Sequence, residues 1–302
     1  MDSKEKIFFS IIVPTYNRAA LLNVTLQSLL KLDYINYEII VVDDGSTDNT
    51  EEVVKKLPQE RIRYVQKENG ERGAARNFGA ALANAGYLNF FDSDDVALNN
   101  HLNEAVKIIE YYNNPEWFFL PYSLADVHGN ILKKTSEHSS KTLNKDLIVG
   151  NLIGCTGVFI RKDIFLLNKF NEDRQLAASE DYELWCRMAA QFPLYYSNTV
   201  TSLMIDHDER SIKTINGSQL INRIELLVYY LSKDNVVTKH YGSDLNRIKM
   251  YAYSYAALHL SDNPKYKSKS IKYLLKGIKE SPVLLKKKIF LATARNILLK
   301  WN

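Results

Sequence analysis

An α/β fold, with a mainly parallel sheet flanked by helices and a helical C-terminal extension, is what this 302-residue sequence predicts. Three observations carry that reading. Short, largely apolar runs alternate with stretches of helical spacing, which is the mark of βαβ units with right-handed crossovers. The runs at 8–13, 37–42 and 87–91 each stop abruptly at a polar or acidic cluster. From about Gly217 onward the strand pattern gives way to helical periodicity.

Phe8 to Val13 reads as a buried strand that Pro14 stops, because proline cannot donate to a central ladder. Leu22, Leu26, Leu29 and Leu30 then recur at helical spacing within 19–32. Tyr37 to Val42 is a second buried strand, and Asp48 with Glu51 has the spacing of a capping box for a helix running to about Leu57. Arg61 to Val65 is a third strand, Gly70 to Gly73 a loop and Ala74 to Ala85 an Ala-rich helix. Tyr87 to Phe91 is the next strand, followed by a helix at 99–112 and a strand at 117–121. Asp126 to Asn130 has hairpin-turn chemistry, and polar loop extends to about Lys145. Cys155 to Ile160 reads as strand, Glu180 to about Gln191 as helix and Leu194 to Ile205 as extended chain. Breaks at Asn216-Gly217, Asp262-Asn263-Pro264 and Ser281-Pro282 divide the helical remainder.

With 46% hydrophobic and 25% charged residues, the composition suits a sizeable core. Cys155 and Cys186 lie far apart in no metal-type spacing, so neither a disulfide framework nor a zinc site is expected, and a reducing, cytoplasmic setting fits. No secretory leader and no bilayer-length apolar run are visible. Net charge is +4 but uneven: residues 265–302 carry eleven Lys or Arg against Glu280 alone, leaving the rest of the chain at −6.

Geometry joins the polar clusters. In a parallel sheet ligands bind beyond the carboxyl ends of the strands, and Pro14–Arg18, Asp43–Ser46 and Asp92–Asp95 all fall at such ends. Three carboxylates within Asp92-Ser93-Asp94-Asp95 repel one another and lose hydration, which a cation relieves. Their hard oxygens favour Mg2+ or Mn2+, whose shell substrate phosphates commonly complete. An acidic turn or helix cap is the bland alternative for the stretch alone, and convergence with Asp44 outweighs it.

Val13-Pro14-Thr15-Tyr16-Asn17-Arg18, Val41-Val42-Asp43-Asp44-Gly45-Ser46-Thr47-Asp48, Gly73-Ala74-Ala75-Arg76-Asn77, Phe91-Asp92-Ser93-Asp94-Asp95 and Ser179-Glu180-Asp181-Tyr182-Glu183-Leu184-Trp185 resemble, in order, the segments of glycosyltransferase family 2. These are inverting transferases of the GT-A (Rossmann-like) fold that use nucleotide-sugar donors. The resemblance covers about residues 8–210 and implies a transferase domain at 1–215, with a nucleotide half near 1–97 and an acceptor half near 98–215. It places Pro14, Thr15, Tyr16, Asp44, Arg76, Asp92, Ser93 and Asp94 at the nucleotide, with Asp44 on the base. Arg72 reads equally as a solvated loop residue. A carboxylate accepts the N3–H of uracil, which cytosine lacks, so a uridine or thymidine donor is expected. Asp94 or Asp95 would ligate the cation, His207 would add a metal or phosphate contact, and another of the three acids would touch the ribose. Asp181 matches the general base, with burial near Trp185 expected to raise its pKa. Helix capping by Asp181 and Glu183 is the plainer alternative.

Two departures favour a single-addition enzyme: no Gln-x-x-Arg-Trp segment occurs, and no spanning helices are seen. The expected acceptor is a glycan, lipid-linked, as in surface polysaccharide assembly. Residues 216–302 form a helical region whose basic amphipathic tail, 265–302, suits an anionic membrane surface, placing the protein at the inner face of the cytoplasmic membrane. A helical lid whose lysine stems cover apolar surface is the alternative. The tail carries no nucleic-acid-binding motif, so no nucleic acid partner is expected. A sugar-1-phosphate nucleotidyltransferase would want a Gly-rich loop where Pro14-Thr15-Tyr16-Asn17 stands, and a non-catalytic binding module would not need Asp181.

Overall fold

In the computed structural model, which describes residues 6–134, 139–208, 210 and 216–299, the apolar runs become parallel neighbours. β1 (Phe9–Thr15) lies between β2 (Tyr37–Asp43) and β4 (Tyr87–Phe90), and β2 also pairs with β3 (Ile62–Gln66). Helices α1 (Ala19–Leu29), α2 (Thr50–Lys55) and α3 (Glu71–Leu82) link these strands. Beyond β4 the sheet continues through β9 (Val158–Arg161), β6 (Trp117–Phe119) and β10 (Tyr195–Tyr196), in the order β10-β6-β9-β4-β1-β2-β3. β9 runs antiparallel to both neighbours, so the sheet is mainly parallel, as expected. A second sheet, β5-β11-β7-β8, is built from β5 (Val96–Ala97), β7 (Tyr122–Ala125), β8 (Ile131–Lys133) and β11 (Ser202–Ile205). α4 (His101–Tyr111) and α5 (Lys162–Leu167) complete this part of the chain.

The core explains the apolar runs. Phe9, Ile11 and Val13 from β1 and Ile39 and Val41 from β2 are fully buried with Leu22, Leu26 and Leu29 of α1. Burying each such side chain is worth about 1.5–3 kcal/mol. Gly157, just before β9, marks the tightest approach: a Cβ there would lie 2.0 Å from the Leu120 carbonyl oxygen. Trp117 and Trp185 are core residues, both fully buried.

Three local expectations are corrected. Pro14 does not end β1; it pairs in register with Val42. The β1–β4 ladder ends at Ile12, whose carbonyl accepts from Phe91, and residue 14 faces that same finished side by strand alternation, so its missing N–H is not needed. The capping box at Asp48 and Glu51 does not form. Asp48 instead accepts from Ala19 N at 3.1 Å and Thr50 N at 3.1 Å, tying the starts of α1 and α2 together, while Glu51 pairs with Lys55. Burial opposes charge on Asp48, but the Thr50 and Ala19 donors outweigh it and hold its carboxyl below the usual range. α3 begins at Glu71 rather than Ala74, from a left-handed backbone at Glu71 (φ 70°).

The described chain divides into two compact units. The first comprises Met1–Leu143, Ile153–Arg174 and Phe192–Arg210, and the second Asn144–Leu152, Gln175–Gln191 and Ser211–Asn302. A linear cut at 215 does not reproduce this division, and residue 215 itself, like Lys300 and Trp301, lies outside the described residues. The reason is α6 (Glu180–Ala189), whose Tyr182, Leu184, Trp185, Cys186 and Met188 are all buried. Glu180 and Glu183 are buried with them, so the helix is enclosed on several sides although four of its ten residues are charged. It packs on α7 (Gly217–Lys233) and α8 (Asn235–Tyr241). α9 (Asp244–Leu260), α10 (Lys267–Glu280) and α11 (Lys288–Leu299) follow. Asn216 does cap α7, in a full capping box with Gln219. Among the described residues no helix is long and apolar enough to cross a membrane.

Candidate active site

Within the first unit, the carboxyl ends of β1, β2 and β4 bring together most of the residues singled out from sequence. At the end of β1, the buried Thr15 accepts from Asp44 N through its carbonyl at 2.9 Å, and its hydroxyl has no hydrogen-bond partner among the described residues. An orphaned buried hydroxyl is uncommon and invites a ligand. Tyr16 follows, 47% exposed. Asn17 then takes a left-handed backbone (φ 48°) and clasps the β2 loop, donating from its N to Ser46 Oγ and accepting from Thr47 N.

Two acids end β2, with different tasks. Asp43 is fully buried and accepts from Ser46 N at 2.7 Å and Tyr64 Oη at 2.6 Å, so it shapes the turn. Asp44, 4% exposed, accepts on Oδ1 from Lys67 Nζ at 2.8 Å and Gly70 N at 2.9 Å. Its carbonyl accepts from Asn69 Nδ2 at 2.9 Å.

The three acids after β4 are likewise differentiated. Asp92 pairs with the buried Arg76 at 2.7 Å, and the Arg76 guanidinium lies over the Phe170 ring. Ser93 is buried beside it. Asp94 Oδ2 takes Arg18 Nη1 at 2.8 Å and His207 Nε2 at 3.2 Å. Burial opposes its charge, but the His207 hydrogen bond and the Arg18 and Arg210 guanidinium charges prevail and hold its carboxyl at about 2. Asp95 is 1% exposed; its Oδ1 accepts from Ile205 N and its Oδ2 from Thr156 Oγ1. Burial, with the charges of Asp94 and Asp92, pushes its carboxyl well above the ordinary range. Thr156 closes the turn by also accepting from Asp92 N at 3.3 Å. Asp94 thus offers an ionised carboxylate beside the Asp92–Arg76 ion pair, and Asp95, with both oxygens on protein donors, is a structural tie.

Asp181 belongs to the second unit, on the first turn of α6. It is half-buried, and accepts from Asn151 Nδ2 at 2.9 Å and Tyr182 N at 2.7 Å. Ala178, just upstream, holds a left-handed backbone (φ 68°), a conformation costly for a residue with a Cβ. Glu183, the other acid weighed as a cap, is locked by Arg187 at 2.8 and 2.9 Å. The sequence reading did not single out Arg18, Lys67 or Thr156. Arg18 lay inside a quoted segment, at the right sheet edge, and its charge was the available signal.

The residue chemistry suits a divalent cation in part. Asp94 and His207 offer an ionised carboxylate and an imidazole on one another's doorstep, yet among the described residues no group of three or more His, Cys, Asp or Glu is gathered to hold a metal unaided. A site completed by phosphate oxygens would have this composition.

Known proteins agree with the fold. The chain is 32% identical over 216 residues to an uncharacterized glycosyltransferase of Rickettsia conorii, 69% of this chain but only 35% of that protein's length. It is 33% identical over 177 residues to WfgD of Escherichia coli, named as a UDP-Glc:alpha-D-GlcNAc-diphosphoundecaprenol beta-1,3-glucosyltransferase, spanning 58% of this chain and 67% of WfgD. The crystal structure of S. aureus TarS 1-349 in complex with UDP-GlcNAc superposes with a TM-score of 0.71 at 20% identity, covering 96% of this chain and 88% of that one. The family model for glycosyl transferase family 2 matches residues 10–164. The chain belongs to glycosyltransferase family 2.

Proposed function

We propose that this protein moves one sugar from a UDP-hexose or UDP-N-acetylhexosamine to a hydroxyl of a lipid-linked glycan, with inversion, in surface polysaccharide synthesis. The observation that carries this reading is the convergence, at one sheet edge, of an orphaned Thr15 hydroxyl, an exposed Tyr16, an anchored Asp44 and the Asp94–Arg18–His207 cluster. Asp44 takes the uracil N3–H, Tyr16 covers the base, and Arg76 with Asp92 and Ser93 lines the ribose and phosphates. UDP-GlcNAc in TarS and UDP-Glc in the name of WfgD support the choice of uridine. Asp94 and His207 would hold Mn2+ or Mg2+, which when bound supplies positive charge to the departing diphosphate. Asp95, with both oxygens on protein donors, is the weaker ligand candidate. Asp181 accepts the acceptor hydroxyl proton as that oxygen attacks C1; the C1–O bond to the diphosphate breaks and UDP leaves.

Thermal shift tests the donor. UDP at about a hundred times its Kd should raise stability by about 2.7 kcal/mol. The rise should need Mn2+ and should not be matched by CDP. No response to UDP, TDP, GDP or CDP would remove the nucleotide reading.

The tail supports an attachment to anionic lipid. Ile271, Leu275, Val283, Leu285, Leu291 and Leu298 are exposed on α10, on α11 and between them, among Lys267, Lys272, Lys279, Lys286 and Lys288. Other residues of α10 cover the bundle instead: Tyr273 and Leu274 are buried, and Lys276 holds Glu225. Replacing the exposed leucines Leu275, Leu285, Leu291 and Leu298 by serine should abolish sedimentation with anionic liposomes; unchanged sedimentation would sink the membrane reading.

A further inference from the structure

We infer that Lys67 is a specificity-determining residue, which holds Asp44 as an acceptor-only group and thereby sets the preference for uracil over cytosine. The inference rests on the reading that Asp44 meets the base. Its own support is geometric. Lys67 follows β3, and its ammonium reaches back to Asp44 Oδ1 at 2.8 Å, the same oxygen that accepts from Gly70 N at 2.9 Å. Both fixed donors load Oδ1, so Oδ2 carries the acceptor capacity left for a ligand. A second Lys67 bond, to the Glu68 carbonyl at 2.5 Å, keeps the ammonium in place.

The loop from Lys67 to Gly70 is itself braced. Arg174 donates to the Asn69 carbonyl at 2.8 Å and to Asn69 Oδ1 at 2.5 Å, while Asn69 Nδ2 binds the Asp44 carbonyl. Gly45 takes a left-handed backbone (φ 84°), and a Cβ there would meet Asn69 N at 3.2 Å. Asp44 is therefore gripped through both its main chain and its side chain by one short loop.

The chemistry follows. A buried carboxylate needs a counter-charge, and Lys67 is the cation placed on this one. Held so, Asp44 can accept the N3–H of uracil and offers nothing to the bare N3 of cytosine. A site whose one buried polar group is left facing a lone pair discriminates strongly against that ligand. Removing the lysine frees the carboxylate to rotate and leaves it without its cation, which weakens the preferred base more than the rejected one.

Two neighbours make the test clean. Lys67 also lines a cleft of about 510 Å3 beside Ala74, Phe78, Lys169 and Arg174, which has room for the larger guanidinium of arginine. Gly70 has an ordinary backbone (φ −131°), and a Cβ there would come within 2.8 Å of Lys67 Nζ. Gly70→Ala thus displaces the ammonium while keeping its charge in the chain.

The experiment measures UDP and CDP affinity by calorimetry for wild type, Lys67→Met, Lys67→Arg, Gly70→Ala and Asp44→Asn. Lys67→Met should lower the UDP-over-CDP preference roughly tenfold, in keeping with the loss of one charge-assisted contact. Lys67→Arg should restore most of it, and Gly70→Ala should fall between. If Lys67→Met weakens both nucleotides equally, Lys67 is only structural and the inference fails. If Asp44→Asn itself leaves the preference unchanged, the base-binding reading fails instead.

Discussion

Asp181→Asn should bind UDP as the wild type does and lose transfer on the order of 10^2–10^4-fold, the usual contribution of a general base. The substitution is isosteric, so the Tyr182 N contact at 2.7 Å can persist on the amide oxygen, and the Asn151 contact can persist after a side-chain amide flip. The start of α6 should therefore survive, which circular dichroism would verify. Asp181 is proposed to meet the acceptor hydroxyl and not the nucleotide, so the midpoint of a UDP titration should not move. What changes is basicity: the amide cannot take the proton of an attacking hydroxyl. The readout is sugar transfer, or slow UDP release with water as acceptor, measured beside UDP binding on the same preparation. Undiminished turnover would remove Asp181 from the chemistry. Glu183 is a poor substitute base, because Arg187 holds both its oxygens.

The parallel part of the sheet was legible because buried parallel strands are apolar on both faces, so β1, β2 and β4 show as apolar runs broken only by Ser10, Glu38 and Asn89 before their ends. The carboxylates at their ends were legible for the complementary reason: charge at a strand end stands out against such runs. Individual roles were not. Asp92, Asp94 and Asp95 look equivalent in sequence, and only Arg76, His207 and Thr156, far away along the chain, separate them. Lys67 was invisible for the same reason, being an ordinary loop lysine until β3 lies beside β2. Pro14 misled because its effect depends on where the neighbouring strand ends, which no local pattern encodes. The division into compact units was equally hidden: α6 is buried nearly all round despite four charged residues in ten, and its sequence does not say which helices will cover it.

Lowering the pH should destabilise the protein through His101, a residue the sequence reading passed over. The ring is fully buried at the start of α4, packed against Phe91 and Phe159. Its Nε2 lies 3.3 Å from Asn89 Oδ1 and its Nδ1 lies 2.9 Å from Thr201 Oγ1. Asn89 Nδ2 donates to the carbonyls of Thr156 and Val158, so its Oδ1 accepts, and the network assigns the neutral Nε2–H tautomer. Burial drives the imidazole pKa from 6.5 down to about 3, opposed weakly by the Thr201 contact. Between those values the unfolded chain binds a proton that the native state refuses, so stability falls as pH falls through 6.5 and continues to fall toward 3. The slope approaches 1.36 kcal/mol per pH unit, and over that window the loss is on the order of 5 kcal/mol. That is comparable with the whole stability of many domains, about 5–15 kcal/mol. Asp95 acts in the opposite sense: its raised native pKa means the folded state binds the extra proton, so acidification favours folding through that group. Asp94, held near 2, loses its contribution only below about 4. The informative quantity is therefore the difference between denaturation curves of wild type and His101→Gln from pH 7 to 4. Both proteins carry Asp94 and Asp95, and the variant lacks only the imidazole. The gap should narrow steadily with acid, and a gap independent of pH would show that His101 does not titrate with unfolding.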